Sequence, residues 1–186
     1  MTQSPPKLDW VLDGWVDYND ALLEALDAMD DEDLLRADAP DRRSPADLLR
    51  HIALGRVVWL TRIGAPGFAE LDYAVPRHHV LPDGTRFLDE GSVPLERGVL
   101  RDWLLRTGSA LRSTLAEWTA EDLRPAVRHD YQGTAYALSR QWVLFRILLH
   151  DVHHGGQLSM LCQERGIDAP SLVQLGGHLP VPPVCV

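Results

Sequence analysis

The chain has 186 residues, of which 45% are hydrophobic and 24% are charged, and these values fit one folded domain over residues 1–186. Eighteen basic against 27 acidic residues give a formal charge of −9, which argues against nucleic-acid partners and against an anionic membrane surface. No apolar run approaches a membrane span, and the polar start lacks the apolar region of a signal peptide. Two cysteines are too few for a disulfide framework, so we expect a cytoplasmic protein.

Helical periodicity is the strongest pattern along the chain. Apolar residues recur every three or four positions from residue 8 to 29, which predicts a first helix. A second helix is predicted to begin at Ser44-Pro45, a capping hydroxyl followed by proline in the first turn, and to end near Gly64. A third helix is predicted over about 94–118 and a fourth over about 138–166. The prediction is an all-α, four-helix bundle whose core spans about 8–166.

The segments between these helices differ in length. Residues 65–91 contain several prolines and glycines, and we expect them to form a long crossover between helices two and three, with a short strand or helical turn. A connection of this length is often functional. Residues 128–134 are predicted to be a turn, and 167–186 an irregular tail rich in proline.

The two halves of the chain contain weakly similar sequences. Leu48-Leu49-Arg50-His51 in the second helix corresponds to Leu148-Leu149-His150 in the fourth. The similarity is too short to establish a repeat, but it pairs His51 with His150.

Histidines occupy core positions of the fourth helix. His150 and His154 lie on its apolar stripe, where the pattern otherwise places leucine, and residues four apart are about 5–6 Å apart at Cβ. Both imidazoles can therefore reach one ion at about 2.0–2.1 Å. His51, at the edge of the apolar stripe of the second helix, supplies a third nitrogen if the two helices are neighbours. Three neutral histidines leave open coordination positions, which is the composition of a catalytic site.

The structural alternative is that these histidines only pack in the core. A single His-x-x-x-His pair is common on helices, and His51 alone is more often a core or boundary residue. By helical geometry His153 points about 100° away from the pair, which predicts a surface position or a contact behind the site. His78 and His79 are assigned to a solvated loop.

Few other residues indicate chemistry. Gln157 lies one turn beyond His154 and could orient a ligand or a water. Cys162 is about 12 Å along the helix from His154, too far to share its ion, and is predicted to be a small core residue. Trp59 and Trp142 could form the walls of a pocket. The sequence contains no GxSxG, Walker, dinucleotide-binding or HExxH motif.

These motifs together resemble the DinB/YfiT-like superfamily of small bacterial bundle proteins. The resemblance spans about residues 8–166 and rests on "DLLRHI" in the second helix and "LLHDVHHGGQLSML" in the fourth. Its most specific part is the pattern H-x-x-x-H-x-G-Q-L, which is matched by His150, His154, Gly156, Gln157 and Leu158.

The resemblance implies a homodimer and a divalent ion, usually zinc or nickel, on His51, His150 and His154. It also implies a small-molecule substrate, since some relatives are transferases or isomerases that use low-molecular-weight thiols such as mycothiol or bacillithiol. Gly155 departs from the family, which often has arginine there, and this weakens the transfer of any particular substrate.

Two functions stay open on the sequence alone. The first is a metal-dependent enzyme of the thiol-dependent S-transferase or hydrolase type, for which no general base is identified. The second is a non-catalytic, stress-associated bundle protein in which the ion is structural.

Overall fold

Helices make up most of the computed structural model, which describes residues 5–82, 84–131, 133–173 and 175. They are α1 (Asp9–Ala28), α2 (Asp31–Leu35), α3 (Pro45–Arg62), α4 (Phe68–Ala74), α5 (Arg97–Glu117) and α6 (Arg140–Glu164). Two antiparallel hairpins pair β1 (His78–Val80) with β2 (Arg86–Leu88), and β3 (Ala126–Tyr131) with β4 (Thr134–Ser139). Short 3-10 turns cover Glu90–Ser92 and Glu121–Leu123. The predominantly helical class is confirmed, and the two hairpins are additions to it.

The ends of the long helices follow local capping chemistry. The Ser44 hydroxyl accepts a hydrogen bond from the Asp47 amide, and the Asp47 carboxylate accepts one from the Ser44 amide, with Pro45 in the first turn. This confirms the predicted start of α3. The end of α6 is followed by Gly166 at φ 68°, a left-handed conformation that glycine adopts without steric cost.

The core lies where α3 packs against α5 and α6, and where α1 packs against α5. Burying each of its large apolar side chains stabilises the fold by about 1.5–3 kcal/mol. The fully buried members include Trp15, Leu22, Leu26, Leu49, Ile52, Leu60, Leu111, Leu115, Val143, Ile147 and Leu158. Among the described residues, no helix combines the length and the hydropathy that a membrane span requires.

A polar network crosses this core and connects α1, α3 and α6. Nε of Arg56 donates to Asp151 at 2.8 Å, and both side chains are 0% exposed. Nε1 of Trp15 donates to the same carboxylate at 2.8 Å, while Nη1 of Arg56 donates to Asn19 at 2.6 Å. Because a buried charge without its partner costs several kcal/mol, the network holds the three helices in one register.

The prediction for residues 128–134 was wrong. These residues are not simply a turn, because β3 and β4 pair from Ala126 with Ser139 to Tyr131 with Thr134. Only the tip turns, with Gly133 at φ 76°. Most side chains of both strands are exposed, so the sequence lacks the alternation of apolar and polar residues that marks a half-buried strand. In the predicted tail, residues 167–173 form no helix or strand, and 174 and 176–186 lie outside the described residues.

Candidate metal centre

Packing of α3 on α6 brings three histidines together. One ring nitrogen each of His51, His150 and His154 lies within 4.8 Å of the others, and all three side chains are partly buried. Nε2 of His51 and Nε2 of His150 are 3.1 Å apart. Two donors bound to one tetrahedral ion at about 2.0–2.1 Å are separated by about 3.3 Å. The arrangement therefore has the dimensions of a metal site.

An acidic residue from the long connection contacts the first histidine. Nδ1 of His51 lies 2.9 and 3.0 Å from the two carboxylate oxygens of Glu90, at the start of the 3-10 turn. Burial alone would raise the pKa of Glu90, but the hydrogen bond and charge of His51, with Arg43 and Arg50, lower it overall. Glu90 is thus a carboxylate that accepts the Nδ1 proton of His51, which leaves Nε2 of His51 free to bind a metal.

The other two histidines have oxygen partners on the same ring atom. Nδ1 of His154 lies 2.8 Å from Oε1 of Gln157, one turn further along α6. Nδ1 of His150 lies 3.5 Å from Oδ1 of Asp151, whose other oxygen accepts from the buried network. Each histidine therefore has an oxygen on its Nδ1 side and Nε2 as its remaining nitrogen.

The electrostatics keep His154 neutral. Burial, together with the charges of His150, His51 and His153, lowers the pKa of His154 to about 4, against the opposing effect of the hydrogen bond to Gln157. At neutral pH its imidazole carries a lone pair that is available to a metal ion.

Gly55 makes room for His150 at the helix contact. A Cβ atom at position 55 would lie 2.7 Å from Cε1 of His150, closer than side chains tolerate. Glycine on this stripe of α3 therefore lets the His150 ring approach the helix backbone closely.

Gly155 is enclosed by the core. A Cβ atom there would overlap the hydroxyl of Tyr18, which donates to the carbonyl of Leu172 at 2.7 Å. Burial, followed by the charge of Asp151, raises the pKa of Tyr18. The arginine that the resemblance places at position 155 has no space here, which accounts for the departure noted in the sequence.

The site is open to a cleft of about 490 Å³ at one end of the contact between α3 and α6. The side chains of His51 and His150 are each 20% exposed. The lining residues include Arg42, Arg43, Leu48, His154, Gln157 and Glu164. Solvent and a small polar ligand can thus approach the cluster from the side of His154, the one histidine of the three among the lining residues of this cleft.

His78, His79, His153 and Cys162 lie outside the cluster. His153 is exposed, with its ring 4.8 Å from that of His154, as expected for a neighbour outside the cluster. The solvated-loop assignment is wrong for His78, which lies on β1, is 10% exposed at its side chain and contacts Asp72 at 3.1 Å. His79 is also on β1, but its side chain is 70% exposed. Cys162 is buried, as predicted.

Glu90 and Asp151 were missed by sequence reasoning. Glu90 follows no motif and stands 39 residues from His51. Asp151 adjoins His150 in sequence, but its partner Arg56 is 95 residues away. The only available signal was the length of the connection that carries Glu90.

Comparison with known proteins agrees with the fold and the motifs. The family model described as the DinB superfamily matches residues 17–158, about three quarters of the chain, and the chain belongs to this superfamily. A crystal structure of a DinB-like protein from Bacillus cereus aligns with a TM-score of 0.63 and 20% identity. The alignment covers 90% of this chain and 98% of that chain, and it shows a shared fold. No curated protein matches the chain.

Proposed function

We propose that this chain is a divalent-metal-dependent enzyme whose ion is bound by His51, His150 and His154. The observation that carries the proposal is the arrangement that the three imidazoles share. Each has an oxygen on its Nδ1 side, and each has a ring nitrogen within 4.8 Å of the others. Such oxygen partners fix the tautomer and the ring direction of metal-binding histidines.

We propose zinc or nickel, the ions that the family resemblance implies. Imidazole nitrogen suits both, as it also suits copper and iron, whereas calcium and magnesium prefer oxygen ligands. Three neutral donors and partial exposure leave at least one coordination position for a small molecule. A bound zinc or nickel ion supplies Lewis acidity there and lowers the pKa of a water or thiol.

The protein's own residues prepare the site. The Glu90 carboxylate accepts a hydrogen bond from Nδ1 of His51 and places a negative charge beside that ring, on the side away from Nε2. Gln157 orients His154, and the core network orients His150 through Asp151. Arg42, Arg43 and Glu164 give the cleft a charged rim that suits a polar small molecule.

The proposed reaction is thiol-dependent S-transfer or hydrolysis of a small electrophile. A low-molecular-weight thiol is the proposed cosubstrate for the first reaction, and water for the second. Membership of the DinB superfamily supports this choice, because some members of the superfamily that the sequence resembles are thiol-dependent transferases.

A structural ion is the second candidate, and the contact between His150 and Asp151 favours it. That contact joins the histidine cluster to the buried network across α1, α3 and α6. An ion bound only by the folded state stabilises it, so this role predicts a lower melting temperature after chelation and no turnover.

Activity of the metal-loaded protein separates the two roles. Zinc-loaded and nickel-loaded protein would be assayed with thiol-conjugation substrates and with ester and amide panels, beside His150→Ala and the control His153→Ala. The enzyme proposal expects turnover that is lost in His150→Ala and retained in His153→Ala. Unchanged turnover in His150→Ala protein that has lost its ion would contradict metal-dependent catalysis.

We also infer that α1, α3, α5 and α6 form a four-helix bundle with residues 63–96 as the crossover, and that two copies form a homodimer. The exposed side chains of Val11 and Phe145 line an apolar groove between α1 and α6, and Trp10 and Leu149 on the same two helices are also exposed, which supports a dimer contact there. Light scattering after size-exclusion chromatography would show twice the 20.8 kDa mass of the chain, whereas a monomer at micromolar concentration would refute the dimer.

A further inference from the structure

A second cavity, of about 640 Å³, lies beside the contact between α3 and α6 at the end opposite the cleft described above. We call it the aromatic pocket. Helix α3 supplies Trp59 and Arg62, and α6 supplies Trp142 and Arg146. The hairpins close it with Phe87 of β2, His129 and Tyr131 of β3, and Tyr136 of β4.

Two guanidinium groups in this pocket form no salt bridge within the described part of the chain. Among the described residues, Arg62 and Arg146 form neither an ion pair nor a side-chain hydrogen bond, whereas most other arginines form salt bridges. Instead, Cζ of Arg62 lies 4.7 Å and Cζ of Arg146 4.5 Å from the centroid of the same Trp59 ring. Two cations stacked on one indole, in a chain of net charge −9, form a local positive centre.

The pKa values of two groups in the pocket, Arg62 and His129, are lowered in part by this positive charge. Burial lowers the pKa of Arg62, and the charge of Arg146 lowers it further, while Asp72 opposes the shift. Burial and the charge of Arg62 lower the pKa of His129 as well, against the effect of Asp130. A bound anion in contact with both guanidinium groups would offset the electrostatic repulsion between Arg62 and Arg146.

The walls are suited to a flat apolar group. Trp59 and Trp142 meet at 5.6 Å between ring centroids with an angle of 62°, and Phe87 and Tyr131 meet at 6.0 Å with an angle of 71°. Trp142 is 47% exposed, so a large part of its ring lacks a protein contact. Such ring faces and edges bind aromatic molecules through stacking and edge contacts.

From this geometry we infer that the aromatic pocket binds a small organic oxyanion with a flat aromatic body. The oxyanion contacts the guanidinium groups of Arg62 and Arg146, and the aromatic body lies against the exposed part of the Trp142 ring. A volume of about 640 Å³ is within the range of pockets that enclose a small organic ligand.

The pocket lies along the same helix contact as the histidines. Arg146 precedes His150 by one turn of α6, and Trp59 follows His51 by two turns of α3, at about 5.4 Å per turn. Binding of the anion is independent of the metal. That the ligand is also the substrate of the metal centre rests on the function proposed above.

Isothermal titration with two matched probes tests the inference. The probes are 2-naphthoate and its neutral analogue 2-naphthamide, each titrated into metal-free and zinc-loaded protein. Hydrogen bonds to a charged group contribute about 1.5–3 kcal/mol, so naphthoate is expected to bind at least about tenfold more tightly than naphthamide. Arg62→Gln and Arg146→Gln are each expected to remove this preference. Arg106→Gln is the matched control, because its guanidinium stacks 5.0 Å from Trp103, outside the pocket.

A separate variant, Trp142→Leu, tests the contribution of the aromatic side chains. Trp142→Leu is expected to weaken both probes by a similar factor, because it removes ring contact without changing charge. The inference would be overturned if the two probes bound with equal affinity, or if neither bound at millimolar concentration. It would also be overturned if Arg106→Gln lost the preference for naphthoate as fully as Arg62→Gln and Arg146→Gln. Unchanged naphthoate binding in His150→Ala would support a pocket that is separate from the metal centre, whatever the activity assay shows.

Discussion

The carboxylate of Glu90 accepts a hydrogen bond from Nδ1 of His51 at 2.9 Å, across 39 residues of sequence. This contact joins the long connection between α4 and α5 to helix α3, and it fixes the tautomer of His51. The opposite nitrogen of that ring, Nε2, is the one that faces His150.

Replacing Glu90 by glutamine is expected to weaken metal binding without removing it. The amide keeps the shape but loses the negative charge, and loss of such a partner typically lowers metal affinity by about 10–100-fold. Competition of zinc between the protein and a chromophoric chelator measures the change. Glu96→Gln is the control, since Glu96 is exposed and its side chain caps nothing. Equal affinity in Glu90→Gln and wild type would contradict the role of Glu90.

Adding one methyl group at Gly55 is expected to displace His150. The Cβ atom would lie 2.7 Å from Cε1 of that ring, so either the ring or the helix contact must shift. Gly55→Ala should lose at least about tenfold in zinc affinity and about 1–3 kcal/mol in unfolding free energy. Gly98→Ala is the matched control, because nothing lies within 4 Å of its added Cβ in α5. Full metal affinity in Gly55→Ala would refute this placement of His150.

Two adjacent glycines of α6 are expected to respond oppositely to alanine. Gly155→Ala would overlap the Tyr18 hydroxyl and should destabilise the protein by about 1–3 kcal/mol. Gly156→Ala meets nothing within 4 Å and should stabilise it by about 0.5–1 kcal/mol, since alanine favours a helix. Urea denaturation of both variants measures the difference. A Gly155→Ala protein as stable as Gly156→Ala would show that position 155 is not enclosed.

The thiol of Cys162 is expected to be inert in the folded protein. Burial raises its pKa, so the reactive thiolate is scarcer at any given pH than in an unfolded chain. In Cys185→Ser, which leaves Cys162 as the single thiol of the chain, a thiol reagent at pH 8 should react slowly until denaturant is added. Rapid modification of the folded variant would contradict this. The proposed thiol cosubstrate therefore has to come from solution.

Local chemistry in the sequence predicted the four long helices and the three histidines, but not the short helices α2 and α4. The capping pair Ser44 and Pro45 marks the start of α3, and histidine at leucine positions of α6 marks the cluster. Both signals act over a few residues, where helix geometry fixes which side chains share a face. The pairing of His51 with His150 needed the tertiary contact between α3 and α6, which the weak similarity of the two halves only indicated.

The parts that the sequence did not predict depend on long-range contacts or on exposure. Glu90 meets His51 and Arg56 meets Asp151 only after the helices pack. The hairpin of β3 and β4 is mostly exposed, so no apolar alternation distinguishes it from a loop. Its aromatic side chains, together with Phe87, nevertheless line the aromatic pocket that the sequence had connected only with Trp59 and Trp142.

The most direct test of the metal centre is elemental analysis of the purified protein after zinc or nickel loading and removal of free ion. Wild type and the control His153→Ala are expected to retain one ion per chain. His51→Ala, His150→Ala and His154→Ala should each retain much less than one, with unchanged helical circular dichroism. One tightly held ion in all three single variants, or none in the wild type, would contradict a centre built from these histidines.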